Sequence, residues 1–250
     1  MALSLFGNKR ADQGMPSGRV PDGRLLVAIG DMHGRLDLLE RLFVQIEETA
    51  RLSSARERTV VFLGDYIDRG TQSRQLIDRL LAGFSGYEAV FLKGNHDDTL
   101  LQFLDDPKLG EVWRNFGGLE TLESYGVAHR GGSDWAQTRA EFLQRLPAEH
   151  LKFFKSLRLH YACGDYLFVH AGVRPGLLLE HQSEQDLLWI RDEFLNSTMS
   201  FGRIVVHGHT PERQPVVRAN RICIDTGAYM TGVLTALVLE GRSHKFLSTK

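Results

Sequence analysis

Cysteine is almost missing from this 250-residue chain: only Cys163 and Cys223 occur. That excludes a disulfide framework, and because both lie in apolar, strand-like runs, two buried free thiols in a reducing compartment are expected. There is no excess of positive charge either. Thirty Lys and Arg against 31 Asp and Glu leave a formal net charge of -1, so the global basic field on which nucleic-acid binding rests is absent, and no nucleic-acid partner is expected. No apolar stretch approaches the ~20 residues of a membrane-spanning helix. Residues Met1 to Asp22 hold Leu3, Leu5 and Phe6 but no h-region of a signal peptide, and then turn to Gly, Pro and charge. Residues 1–23 are therefore read as a flexible or loosely docked tail on a cytoplasmic protein. Internal repeats and low-complexity segments are missing as well. The hydrophobic share, 42%, is enough to bury a real core.

What is present is an alternation. Leu25–Ile29, Thr59–Leu63 and Glu88–Leu92 are short apolar runs, the pattern of strands buried on both faces. Between them Leu36–Arg51 and Gln72–Ala82 carry apolar residues at helical spacing. A βαβαβ order predicts a parallel sheet layered by helices. Residues 97–157 then read as helices with few strand signals (98–104, 111–115, 119–125, 135–145 and 148–157), a helical insertion capping the molecule within one domain over 24–250. Strands return at 157–162, 166–170, 203–206, 215–217, 222–224 and 233–239, with the short spacing of antiparallel or mixed pairing.

Each strand run ends in a polar turn. Gly30-Asp31-Met32-His33-Gly34, Gly64-Asp65-Tyr66-Ile67-Asp68-Arg69-Gly70 and Gly94-Asn95-His96-Asp97 follow the first three, and Val169-His170-Ala171-Gly172 and His207-Gly208-His209-Thr210 follow two later ones. One such turn alone is as well explained by a helix cap or a surface ion pair. Five together place oxygen and imidazole donors past the carboxyl ends of strands, where open α/β sheets bind ligands. That is the donor set of a dinuclear metal site, in which one carboxylate, here Asp65, holds two ions ~3.5–4 Å apart. His207 is expected to be structural, and Asp225 in Asp225-Thr226-Gly227-Ala228 to be packing with an outer contact to the site.

In this order the blocks GDMHG, GDYIDRG, GNHD, VHAG and HGHT resemble the calcineurin-like metallophosphoesterases, and within them the phosphoprotein phosphatases of the bacterial and phage-lambda type, over residues 24–240. The resemblance implies an α/β metallophosphoesterase fold with central mixed sheets layered by helices. It implies Asp31, His33 and Asp65 on one metal and Asp65, Asn95, His170 and His209 on the other. It also implies His96 as general acid paired with Asp68, and Arg69 on the substrate phosphate. Arg191 is the better match for a second phosphate clamp and Arg174 the weaker one, which a surface carboxylate would otherwise hold. Asp97 departs from the Glu of animal members. The expected cofactors are two divalent ions, Mn²⁺ first, with Fe or Zn²⁺ as alternatives.

The implied reaction is direct hydrolysis of phosphoserine or phosphothreonine, and of phosphotyrosine in addition, by a hydroxide bridging the metals. The alternative is a dinucleoside polyphosphate hydrolase resembling the symmetrical diadenosine tetraphosphatases, which share the fold and ligands. Those relatives typically lack the second Asp of GDxxDRG, so Asp68 favours the phosphatase. A non-catalytic metal-binding module and a nuclease stand behind both. Oligomeric state is left open.

Overall fold

A computed structural model describes residues 16–130 and 134–250. Two five-stranded mixed sheets lie against each other. The first has the order β10-β9-β1-β2-β3, from β1 (Arg24–Ile29), β2 (Glu57–Phe62), β3 (Glu88–Phe91), β9 (Thr235–Glu240) and β10 (Ser243–Ser248). The second has the order β4-β5-β6-β8-β7, from β4 (His160–Cys163), β5 (Tyr166–Val169), β6 (Ile204–His207), β7 (Val216–Val217) and β8 (Arg221–Cys223). β1, β2 and β3 run parallel, as do β5, β6 and β8; the remaining strands pair antiparallel. This is the expected fold class, and the mixed pairing of the later strands is as expected.

The layering follows from strand alternation. Leu25, Val27 and Ile29 of β1, with Val60 and Phe62 of β2, face the helices α1 (Leu36–Arg51) and α2 (Ser73–Leu81). Leu26 and Ala28, with Val61 and Val90, face the second sheet and meet Phe168, Val206 and Ile222. On the outer side of that sheet Leu167, Val169 and Val205 pack against Leu187, Ile190 and Phe194, which lie on or beside α8 (Glu184–Trp189) and α9 (Asp192–Leu195). Strands buried on both faces explain why their sequences read as continuous apolar runs.

Between β3 and β4 come α3 (Asn95–Asp105), α4 (Gly110–Asn115), α5 (Gly118–Ser124), α6 (Trp135–Arg145) and α7 (Ala148–Ser156). These match the expected helical insertion to within a few residues at each end. The turn α10 (Ala228–Thr231) precedes β9. α8, α9, α10 and β10 were not expected. Three are one or two turns long, and β10 is an edge strand in which Ser243, His244 and Lys245 are exposed, so none carries a long periodic signal.

The expected tail divides. Residues 1–15 lie outside the described residues. Residues 16–23 are not loose. Val20 is fully buried between the sheets. Its N–H donates to the Gly241 carbonyl at 2.9 Å, the Arg19 N–H donates to the Asp165 carboxylate at 2.9 Å, and the Arg19 carbonyl accepts from the Asp165 N–H at 3.0 Å. Val20 supplies an apolar side chain at the sheet edge, which a single valine in a polar stretch does not announce. Cys163 and Cys223 are buried and free, as expected.

Candidate metal and catalytic site

Register brings the polar turns to one rim. Ile29 pairs with Phe62 and Phe62 with Phe91, so Asp31, Asp65 and Asn95 leave neighbouring strands at the same level. In the second sheet Phe168 pairs with Val206 and His207 with Cys223, which levels His170, His209 and Asp225. Within the second rim the Gly208 N–H donates to the His170 carbonyl at 2.8 Å, and the His209 N–H, donating to the Asp31 carboxylate at 2.9 Å, ties the two rims together.

Asp31, His33, Asp65, Asp68, Asn95, His96, His170 and His209 are all buried, none more than 6% exposed. Among the described residues five non-glycine positions have positive φ: His33, Asp65, Asp68, Arg69 and His209. All five belong to the expected site. Held in the left-handed region, such residues cost of order 1–3 kcal/mol each and persist where the surroundings over-determine them.

Asp65 is the hub. His33, Asp65 and His96 offer donor atoms within 4.8 Å of one another, and so do Asp65, His170 and His209. The backbone fixes the imidazole tautomers. His33 Nδ1–H donates to the Ile67 carbonyl and His170 Nδ1–H to the Leu63 carbonyl, both at 2.9 Å. Each therefore turns an Nε2 lone pair inward, at 3.6 and 3.5 Å from the Asp65 carboxylate. His170 Nε2 also meets Asn95 Oδ1 at 2.9 Å. Asp31 Oδ1 and His209 Nε2 are buried without any hydrogen-bond partner. Lone pairs aimed at one another and orphaned acceptors are costly in a dry interior unless cations sit among them. The donor set thus fits two divalent ions of borderline hardness.

Charge points the same way. Burial, with the charges of Asp225 and Asp65, pushes the Asp31 carboxyl well above the usual range. Burial lifts Asp225 to about 6. Burial pushes His33, His170 and His209 down, which keeps them neutral and able to ligate. Asp225, expected to pack with an outer contact to the site, is a further buried carboxylate at this rim. Its signal in the sequence is its place directly after a strand.

His96 joins the first group through Nε2 and is anchored on its other side. Its Nδ1 meets Asp68 Oδ2 at 2.8 Å. The Asp68 carboxylate, wholly buried, also accepts from Thr121 Oγ1 at 2.7 Å and Trp113 Nε1 at 3.1 Å. Burial raises its pKa, and the hydrogen bonds from His96 and Thr121 oppose that. Thus α4 and α5 fix the dyad, through two residues that nothing in the sequence singled out. His96 Nε2 is left to face the site, 3.9 Å from Asp65.

Asn95 does not cap α3, the competing explanation for it. Gly94 is the cap, and the Asp97 carboxylate closes the turn, accepting from the backbone N–H of Gly94 (2.9 Å), Asp65 (2.9 Å) and Tyr66 (3.2 Å). Asp97→Ala strands three buried donors and is expected to cost about 3–5 kcal/mol in urea unfolding; a loss under about 1 kcal/mol would contradict this role.

Gly208 is the cradle for Asp31, because a Cβ there would overlap Asp31 Oδ1. Its φ is not among the positive ones, so Gly208→Ala tests space alone. A roughly 10–100-fold weaker metal affinity, read by chelator competition, is expected. Unchanged affinity would place Asp31 outside the metal site.

Arg69 lies at the mouth, half-buried, with its guanidinium 4.5 Å from the Tyr229 ring centre and Nη1 3.2 Å from His33 Nε2. Arg191 is exposed between α8 and α9, and its charge bears on His170, His209 and Asp225. Arg174 is already engaged, by Asp186 at 2.7 Å and Glu193 at 2.7 Å. His207 stays out of the cluster, its ring against Phe194 at 4.9 Å.

The sequence profile of the calcineurin-like phosphoesterases matches residues 25–230. The chain belongs to this family. Among curated relatives it is similar to the bis(5'-nucleosyl)-tetraphosphatase PrpE [asymmetrical] of Anoxybacillus flavithermus, 27% identical over 84% of this chain and 88% of that protein. The enzyme of the same name from Geobacillus sp. is 27% identical over 83% and 87%. Among solved structures the fold resembles a protein provisionally named a diadenosine tetraphosphatase, with a TM-score of 0.63, 20% identity and coverage of 94% and 96%. It also resembles a cold-active protein tyrosine phosphatase, with a TM-score of 0.58, 17% identity and coverage of 95% and 83%. The superfamily expected from the motifs is therefore right. The narrower phosphoprotein phosphatase branch is not supported, because these curated relatives carry the name of a nucleotide hydrolase. As a member of this family the chain is a phosphoester hydrolase whose site has groups able to hold metal. Among the described residues no helix is long and apolar enough to cross a membrane.

Proposed function

We propose that this hydrolase cleaves dinucleoside tetraphosphates, and cleaves them asymmetrically. The supporting observation is the shared name of relatives aligned along more than four-fifths of the chain. Uneven division of four phosphates gives a nucleoside monophosphate and a nucleoside triphosphate. This takes up the dinucleotide alternative weighed from the sequence in place of the protein phosphatase, with asymmetric instead of symmetrical cleavage.

In this reading Asp31, His33 and Asp65 hold one divalent ion, and Asp65, Asn95, His170 and His209 the other. Mn²⁺ is the first candidate. Such a pair, when bound, acidifies water and neutralises phosphate oxygens. The chain's own residues do the rest. Arg69 and Arg191 hold the equatorial oxygens of the phosphoryl group, whose charge must be matched in the transition state. Asp68 fixes the tautomer and orientation of His96, and His96 Nε2–H gives its proton to the leaving oxygen.

The 2.8 Å His96–Asp68 contact favours a second reading. A built proton donor is most useful with a basic alkoxide leaving group, as in phosphoserine or phosphothreonine. The two are separated by kcat/KM of the Mn²⁺-loaded protein on diadenosine tetraphosphate beside phosphoserine, phosphothreonine and phosphotyrosine peptides. At least roughly tenfold preference for the dinucleotide is expected, about 1.4 kcal/mol of discrimination. Equal or better rates on peptides would replace the first reading with the second.

A further inference from the structure

Two half-buried aromatic rings stand at the mouth of the site. Phe116 follows α4 and lies 5.3 Å from the His96 ring, inclined by 65°. Trp189 ends α8 and lies 6.2 Å from the His209 ring, inclined by 81°. The two meet at 5.6 Å and 51°. They come from opposite sides of the molecule, α4 from the helical insertion and α8 from the cover of the second sheet. Together they span from His96 to the far imidazole of the metal cluster.

Ordinary core packing explains them poorly. Their neighbours Trp113 and Leu188 are buried and fill the core, whereas Phe116 and Trp189 remain partly open. Both meet polar imidazoles edge-on. Among the described residues, none of the aromatic rings paired with either lies parallel to it. Trp189 is two residues from Arg191, so one short segment presents an aromatic face and a guanidinium side by side.

We infer that Phe116 and Trp189 form a nucleobase subsite that holds the base of the nucleotide whose phosphate lies in the site. This rests on the dinucleotide reading and gives it a structural basis for choosing nucleotides over plain phosphoesters. The phosphate is placed by Arg69 and Arg191, and the base lies one ribose away, against the ring pair. Every base has a π face, so stacking makes the subsite tolerant of base identity. The subsite is worth most to a substrate that carries an aromatic base on a flexible linker and little to a phosphate on a serine side chain.

Binding separates this from the catalytic reading. The Mn²⁺-loaded protein is titrated calorimetrically with adenosine 5'-monophosphate, inorganic phosphate and free phosphotyrosine. The wild type is expected to bind the nucleotide at least about tenfold more tightly than either of the others. Trp189→Ala and Phe116→Leu, the latter retaining apolar bulk beside His96, are each expected to weaken nucleotide binding roughly 5- to 150-fold and leave phosphate unchanged. Phe116→Tyr should restore it. Equal loss for nucleotide and phosphate would show that the rings merely support the site, and overturns the subsite. So does nucleotide binding that the variants do not alter, or equal binding and equal loss for phosphotyrosine. If the nucleotide preference is seen and lost as expected but the wild type leaves diadenosine tetraphosphate intact, the subsite stands and the dinucleotide reading falls.

Discussion

His96→Asn is expected to lower kcat on a phosphoserine peptide roughly 10²–10⁴-fold, the range of a general acid removed from a basic leaving group. On diadenosine tetraphosphate the loss should be far smaller, about tenfold, because the leaving oxygen belongs to a phosphate of low basicity and needs little proton transfer. Metal content should not change. The His96 backbone N–H, which donates to Asp65 Oδ1 at 3.0 Å, survives the substitution. The side chain, by contrast, is tied to Asp68 rather than to the Asp65 cluster. Parallel kinetics on both substrates and metal analysis of the variant check this. Equal losses on the two would remove the proton-donor role. Loss of an ion from the variant would make His96 a ligand, a reading its nearness to His33 and Asp65 leaves open.

Asp65→Asn should reduce activity further, roughly 10³-fold or more on any substrate, by removing the carboxylate common to both groups that could hold an ion. Asp65 sits at φ 52°, a conformation asparagine adopts readily, so the substitution keeps backbone and shape while removing the charge. What is lost is the one anion that four imidazoles surround, and a neutral amide cannot hold two cations. Bound metal is expected to fall from two ions per chain to fewer than one, by elemental analysis of gel-filtered protein. Thermal unfolding of the metal-free variant should stay within a few degrees of the metal-free wild type. Two retained ions, or unfolding of the variant without metal, would show that Asp65 serves the fold rather than the metals.

The parts of this architecture that were legible in the sequence are those with strong local patterns. β1 and β2 announce themselves as continuous apolar runs because helices cover one of their faces and the second sheet the other. α1 repeats Leu38, Leu39, Leu42, Phe43 and Ile46 on one side. The site was legible for a related reason: glycines and polar donors at strand ends are out of place in a core and are kept only for geometry or chemistry. Illegible were features that depend on distant partners. Val20 becomes core only because β4–β5 and β9–β10 turns converge on it. Thr121 and Trp113 matter only because α4 and α5 fold back onto Asp68. Asp225 was legible only as packing with an outer contact to the site, because the carboxylates whose charge it shares, Asp31 and Asp65, lie some 160 residues or more away in the chain. Substrate choice is the least legible. The blocks quoted from the sequence carry the phosphoryl chemistry, whereas Phe116, beyond the last of the first three blocks, and Trp189, beyond the fourth, lie outside them.

Asymmetric cleavage is tested most directly by resolving the products of the metal-loaded wild type on diadenosine tetraphosphate by anion-exchange chromatography at early times. Equal amounts of AMP and ATP, with no ADP, are predicted. Two molecules of ADP would contradict the asymmetry, and an uncut dinucleotide beside rapidly dephosphorylated peptides would contradict the proposed function itself.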